Sequence, residues 1–153
     1  MFDIGEIVEA SVYRTEQYGV FLHHERGELY VDLLELSWVA AGPANQRVNV
    51  GQSLKVRIIG KNLENNTWIA SVRRANPEEN PYLYFSSAYG QCFDGVVCYV
   101  SGPYVRVRFF NGAQGIADRD DKRDNFRIGD IVQAVIEEID DVSWRMKVSI
   151  KSN

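Results

Sequence analysis

The feature that most constrains this chain is a repeat that survives subtraction. Over residues 7–14, Val8, Ala10 and Val12 alternate with Glu9, Ser11 and Tyr13, the two-residue period of a strand with one buried face. Adding 85 to Gly5, Val8, Ala10 and Val12 gives Gly90, Phe93, Gly95 and Val97. Adding 78 to Gly51, Leu54, Val56 and Ile58 gives Gly129, Val132, Ala134 and Ile136, and the same 78 carries Trp68, Ala70, Ser71 and Val72 to Met146, Val148, Ser149 and Ile150. A constant offset between equivalent residues marks a duplicated unit. The drop from 85 to 78 puts a loss of about seven residues between the first and fourth strands of the second copy, mostly opposite residues 33–50.

Each copy reads as five strands. In the first, Val20 and Leu22 point one way while Phe21 and His23 point the other, and Gly27 opens a return through Leu29 to Asp32, a hairpin pattern. Leu33-Leu34-Glu35-Leu36-Ser37-Trp38 spells a turn or two of helix, followed by a loop at Gly42-Pro43 and Asn45. Two further alternating segments flank a turn at residues 62–66. The small residue shared by Ala10 and Gly95 suits a strand that bends sharply to close a barrel. The expected fold class is therefore all-β: two tandem five-stranded barrels of the oligonucleotide-binding type, residues 1–75 and a shorter copy at 90–153. Residues 76–89 form the connector, proline-interrupted at Pro77 and Pro81, with Tyr82, Tyr84, Phe85 and Tyr89 expected to pack a short helix or turn against a barrel.

Charge and chemistry then narrow the function. A net charge of -4 is unusual for a protein that holds phosphates through Lys and Arg, so any nucleic-acid binding must rest on a local groove and on base stacking. Apolar runs are short and the N-terminus lacks a basic start and an apolar export stretch, so a cytoplasmic protein with no membrane partner is expected. Cys92 and Cys98 lie six residues apart on one strand, about 20 Å at strand rise, beyond disulfide reach. His23-His24 has no second ligand pair, and the mixed-charge run 118–124 lacks the glycine and terminal glutamate of a calcium loop. Ser71 and Ser149 have no histidine at a recognisable spacing, and no phosphate-cradling glycine loop is present. No catalytic residue, metal or cofactor is expected, which favours a binding protein over an enzyme.

The stretch Tyr18-Gly19-Val20-Phe21 sets two rings beside a glycine, an arrangement suited to stacking on an unpaired base at about 1 to 3 kcal/mol per base. With Gly5, Glu35-Leu36-Ser37, Val50-Gly51-Gln52 and Ile69-Ala70-Ser71, it makes residues 5–74 resemble the RNA-binding domain of ribosomal protein S1. Residues 90–151 resemble the same domain less fully, through Gly95-Val96-Val97, Gly115-Ile116-Ala117, Ile128-Gly129-Asp130, Ile139-Asp140 and Val148-Ser149. Asn80-Pro81-Tyr82 is similar to the link between tandem copies in that family.

The resemblance implies an RNA face. Its two aromatics fall on Tyr18 and Phe21, its histidine after the third strand on Asp32, and its turn aspartate and arginine on Asn62 and Asn66. In the second copy the corresponding residues are Ser101 and Tyr104, Asp118, Asp140 and Trp144. His23 shares the face of Phe21, Arg106 and Arg108 share that of Tyr104, and Lys61, Arg73 and Arg74 are candidate phosphate contacts. The expected partner is single-stranded RNA, with single-stranded DNA open because the 2′-hydroxyl contact leaves no mark in a sequence. The ribosome or RNA-processing machinery is a further possible protein partner by resemblance. The rival reading is a protein-interaction adaptor whose barrels no longer bind RNA.

Overall fold

The computed structural model describes residues 1–39, 42–119 and 125–151. Of the mixed-charge run, residues 120–124 lie outside that set. The chain divides into two compact units, Met1–Asn80 and Pro81–Asn153.

The first unit contains β1 (Ile7–Glu16), β2 (Gly19–His24), β3 (Gly27–Asp32), a single helical turn α1 (Leu33–Leu36), β4 (Ser53–Asn62) and β5 (Thr67–Ser71). The second contains β6 (Cys92–Val100), β7 (Tyr104–Arg108), β8 (Gln114–Asp118), β9 (Ile131–Asp140) and β10 (Arg145–Ile150). Both sheets close into barrels, in the order β1-β2-β3-β5-β4 and, correspondingly, β6-β7-β8-β10-β9. In each, one parallel pair closes the sheet: β3 with β5 and β8 with β10.

Strand register confirms the offsets read from the sequence. Val8 faces Val56 in the first barrel and Phe93 faces Ala134 in the second; Leu29 faces Trp68, and Gly115 faces Met146. The shortening lies between the third and fourth strands, where residues 33–52 are matched only by residues 119–130. Asp32 ends β3 and caps α1, its Oδ1 accepting from the Leu34 N–H at 3.0 Å.

The inward phases make two separate cores. Val12, Val20, Leu22, Leu29, Val31, Val56, Ile58 and Ala70 fill the first barrel, and Val97, Val105, Val107, Ala117, Ala134, Ile136, Met146 and Val148 the second. Each is plugged by a phenylalanine that precedes its first strand. Phe2 packs on Trp68 (ring centroids 5.4 Å) and His24 (5.2 Å), and Phe85 packs on Phe93 and Phe109, both at 5.1 Å. The aromatic cluster of the connector thus packs a 3-10 turn, Pro81–Phe85, against the second barrel, with Tyr82 and Phe85 buried. Closure also needs a small residue on β6: a Cβ on Gly95 would stand 2.3 Å from Val107 Cγ1. Among the described residues, no helix is long and apolar enough to cross a membrane.

Candidate nucleic-acid interface

Strict alternation breaks once on the first strand of each barrel. The β1–β2 register jumps between Val12 and Arg14, leaving Tyr13 as a bulged residue. Beyond the bulge the phase reverses, so both Tyr13 and Arg14 face outward and Arg14 pairs with Phe21. Phe21 pairs in turn with Tyr30 on β3.

The result is a cluster of four rings on the outer face of β1, β2 and β3. Phe21 sits at its centre, with centroids 5.0 Å from Tyr30, 6.3 Å from Tyr13 and 6.4 Å from Tyr18. The Arg14 guanidinium lies over the Phe21 ring at 4.9 Å and is paired with Glu16. Tyr18 is 50% exposed and Tyr13 is exposed, while Phe21 and Tyr30 between them are half-buried.

Polar groups fix the edges of this platform. Tyr30 Oη lies 3.3 Å from both the Tyr18 carbonyl and Asp32 Oδ2, so its one proton is shared between them. Burial, reinforced by the Asp32 carboxylate, pushes the Tyr30 phenol up to about 12. Gly19 is required here: a Cβ would stand 2.6 Å from Tyr30 Oη and from the Val31 carbonyl. At the other edge, His23 Nδ1 meets Glu28 Oε1 at 2.7 Å, and Tyr13, His23 and Glu28 line a shallow concavity. Burial and the Glu28 carboxylate raise the Tyr13 phenol.

The other residues singled out from the sequence fall into two groups. Lys61, Asn62 and Asn66 lie at the β4–β5 turn: Lys61 Nζ is 5.0 Å from the centroid of the largely buried Trp68, and Asn62 Oδ1 accepts from the Glu64 N–H at 3.0 Å. Asn66 takes a positive φ of 59°. Arg73 and Arg74 instead converge on Glu35, at 3.1 Å and 2.9 Å, and Arg73 also stacks over Trp38 at 4.9 Å. Their side chains are only 12% and 28% exposed, and both are tied to the one Glu35 carboxylate.

In the second barrel the register revises the equivalences. Arg106 occupies the place of Phe21 and Tyr99 that of Arg14, while Tyr104 stands where the first barrel has Gly19. The offset of 85 found on the first strand simply continues through the hairpin, and a matching bulge at Cys98 turns Tyr99 outward as the one at Tyr13 does Arg14. The cross-strand cation–aromatic pair is therefore kept with its partners exchanged, Arg106 lying 5.6 Å from the Tyr99 centroid. Tyr104 remains on that face, 6.2 Å from Tyr99, and Arg108 is exposed two residues along. Asp140 Oδ1 accepts from the Val142 and Ser143 N–H groups at 2.9 and 3.3 Å, and these bonds hold its carboxyl below the usual range. Trp144, like Asn66, has a positive φ, 57°.

Tyr13, Arg14, Tyr30 and Tyr99 are the members of these faces that sequence reasoning left out. Tyr30 had a usable signal, since its place between Leu29 and Val31 sets it outward opposite Phe21. The bulges had none. Among the described residues, no group of three or more His, Cys, Asp or Glu is placed to hold a metal ion.

Two closed five-stranded barrels with this connectivity, each carrying an aromatic and arginine pair outside its first hairpin, are small barrels of the oligonucleotide-binding class. Residues 2–73 match the family described as the S1 RNA binding domain. The match spans the first barrel, and the second repeats its topology beyond the matched segment.

Over 80 residues the chain is 28% identical to the small ribosomal subunit protein bS1 of Staphylococcus saprophyticus; the aligned region is 52% of this chain and 20% of the relative, so the chain spans about a fifth of that protein. The solution structure of GSP13 from Bacillus subtilis is similar at 21% identity, covering 48% of this chain and 58% of the other with a TM-score of 0.45. A multidomain protein with nucleic acid binding domains from Streptococcus pneumoniae aligns over 99% of this chain and 54% of its own, at 14% identity and a TM-score of 0.39.

Proposed function

We propose that this protein binds single-stranded RNA, chiefly on the first barrel, and does so without turnover. The observation that carries the reading is the surface cluster of exposed Tyr13 and Tyr18 around half-buried Phe21 and Tyr30, with Arg14 above Phe21. Rings of this kind stack on bases of any identity, and an arginine beside them meets the backbone. The S1 match over residues 2–73 supports RNA as the ligand, and the ribosomal relative supports a role in translation or RNA handling with the ribosome as a possible partner.

In this reading the site residues divide. Tyr18 and Phe21 stack, Tyr13 and Tyr30 extend the platform, and His23 lines its lower edge. Lys61, Asn62 and Asn66 contact a strand that runs past the β4–β5 turn. Tyr99, Tyr104, Arg106 and Arg108 form a smaller, more cationic face on the second barrel, while Asp140 and Trp144 shape its last turn. Arg73 and Arg74 brace the first barrel through Glu35 rather than meeting phosphate.

The carboxylates of Glu16, Glu28 and Asp32 around the rings favour a second reading, an adaptor that docks a protein segment. Titration of labelled RNA and DNA oligomers with wild type and with the Tyr18→Ala/Phe21→Ala variant tests the proposal. Loss of two stacking rings should weaken RNA binding by on the order of tenfold to a hundredfold or more. Equal binding by both proteins would overturn the assignment of the face. The adaptor reading expects no saturable binding of labelled RNA even at low salt, whereas the RNA reading expects binding that weakens as salt rises.

A further inference from the structure

The concavity at the lower edge of the platform has a chemistry that plain stacking does not use. Tyr13, His23 and Glu28 line it together, and the Glu28 carboxylate is held by His23 Nδ1 at 2.7 Å. The Glu28 side chain is 46% exposed, so it faces the solvent from which a ligand would arrive. An ionised carboxylate only accepts, with about four lone-pair positions, and the His23 donor leaves about three for a ligand. A phosphate has no donor to offer and is repelled. A ribose 2′-hydroxyl offers one donor, whereas a base edge can offer two in parallel while its face rests on Tyr13.

We infer that Glu28, positioned by His23 and set beside the Tyr13 ring, makes the first barrel prefer guanine among the bases of a single strand. The inference rests on the RNA-binding reading above and adds a base preference to it. Guanine presents two parallel donors, N1–H and N2–H, on its Watson–Crick edge, matching the two oxygens of one carboxylate. Adenine and cytosine each present one amino donor beside an acceptor ring nitrogen, which opposes the second oxygen. Uracil presents its N3–H between two carbonyl acceptors. Single-stranded recognition is the setting in which these edges are open to a side chain.

The selectivity also accounts for an acidic residue on a face meant for a polyanion. Glu28 weakens non-specific phosphate attraction at this edge while rewarding one base. A bidentate contact of this type discriminates by about tenfold or more.

The test is a set of uridine oligomers of about eight nucleotides that differ at one central position: uridine, guanosine, inosine or 2-aminopurine riboside. Wild type should bind the guanosine oligomer about tenfold more tightly than the uridine one. Inosine, which lacks the N2 amino group, and 2-aminopurine, which lacks the N1–H, should each forfeit most of that gain. In Glu28→Gln the guanosine-to-uridine ratio should fall to about one, with circular dichroism confirming an intact barrel. Because the modified bases are tested on the unaltered protein, a folding defect cannot mimic the result. Equal affinity for all four oligomers would overturn the base preference while leaving stacking intact. Failure of wild type to bind any of them would overturn the RNA-binding reading and this inference with it.

Discussion

Replacing Glu35 by glutamine examines the part of the first barrel that looks most like a phosphate site and is assigned a different role here. Glu35 receives Arg73 at 3.1 Å and Arg74 at 2.9 Å, and its own side chain is 15% exposed. Glutamine keeps the shape and removes the charge that Arg73 and Arg74 share. Removing one partner of a fully buried pair costs about 3–5 kcal/mol, whereas an exposed pair is worth about 0–1. These three groups lie between the limits, nearer the buried one, so about 2 kcal/mol is expected. For a domain of this size that lowers Tm by roughly 8–16 °C.

The pH dependence has a defined sign. Burial alone would raise the Glu35 carboxyl, but bonds from Ser71, Arg73 and Arg74 outweigh it and bring it below the ordinary value of 4.5. A depressed folded-state value contributes stability above the unfolded value, lost as pH falls through the folded one. The gap between wild type and Glu35→Gln should therefore be full at neutral pH and close progressively below about pH 4. Thermal unfolding followed by Trp38 and Trp68 fluorescence in a Trp144→Phe background reads the first barrel alone. A Tm within about 2 °C of wild type at neutral pH would refute the bracing role. So would Arg73→Ala lowering the salt slope of oligomer binding by about 0.7, the signature of one lost phosphate contact.

Other expectations follow from the same packing. Gly95→Ala forces a methyl against Val107 and should destabilise the second barrel by about 1–3 kcal/mol in urea titration, while Ala10→Gly in the first should cost only about 0.5–1. Phe85→Ala removes a fully buried plug and should cost about 3–5 kcal/mol, read by calorimetry. Gly19→Ala should displace Tyr30 and weaken oligomer binding, seen in the same titrations that test Tyr18 and Phe21. Tyr30→Phe should delete a phenol that ionises near 12 from the ultraviolet absorbance titration. Since that folded-state value is raised above 10, the stability it contributes is complete below pH 10 and disappears as pH climbs towards 12.

Alternation and a fixed offset made the barrels legible before any coordinates, because period-two burial and repeat spacing are local properties of the chain. Val8 opposite Val56 and Phe93 opposite Ala134 are the subtraction rewritten as hydrogen-bonded register. The site was less legible. A bulge at Tyr13 reverses the outward phase, so Arg14 lands on Phe21 although simple alternation turns it inward. The bulge at Cys98 does the same for Tyr99, and the offset of 85, kept through the hairpin, puts Arg106 and not Tyr104 in the place of Phe21. Arg73 and Arg74 looked like exposed strand-end cations because their counterion lies 38 and 39 positions earlier, a separation that no local pattern encodes.

The most direct test of the central claim is an aromatic-resolved NMR titration with a single-stranded RNA oligomer. Ring resonances of Tyr13, Tyr18, Phe21 and Tyr30 should shift together and saturate at one oligomer concentration, with Trp38 and Phe2 unmoved. Shifts confined to other rings, such as the exposed Tyr84 and Phe110 of the second unit, would contradict the assignment of the stacking face.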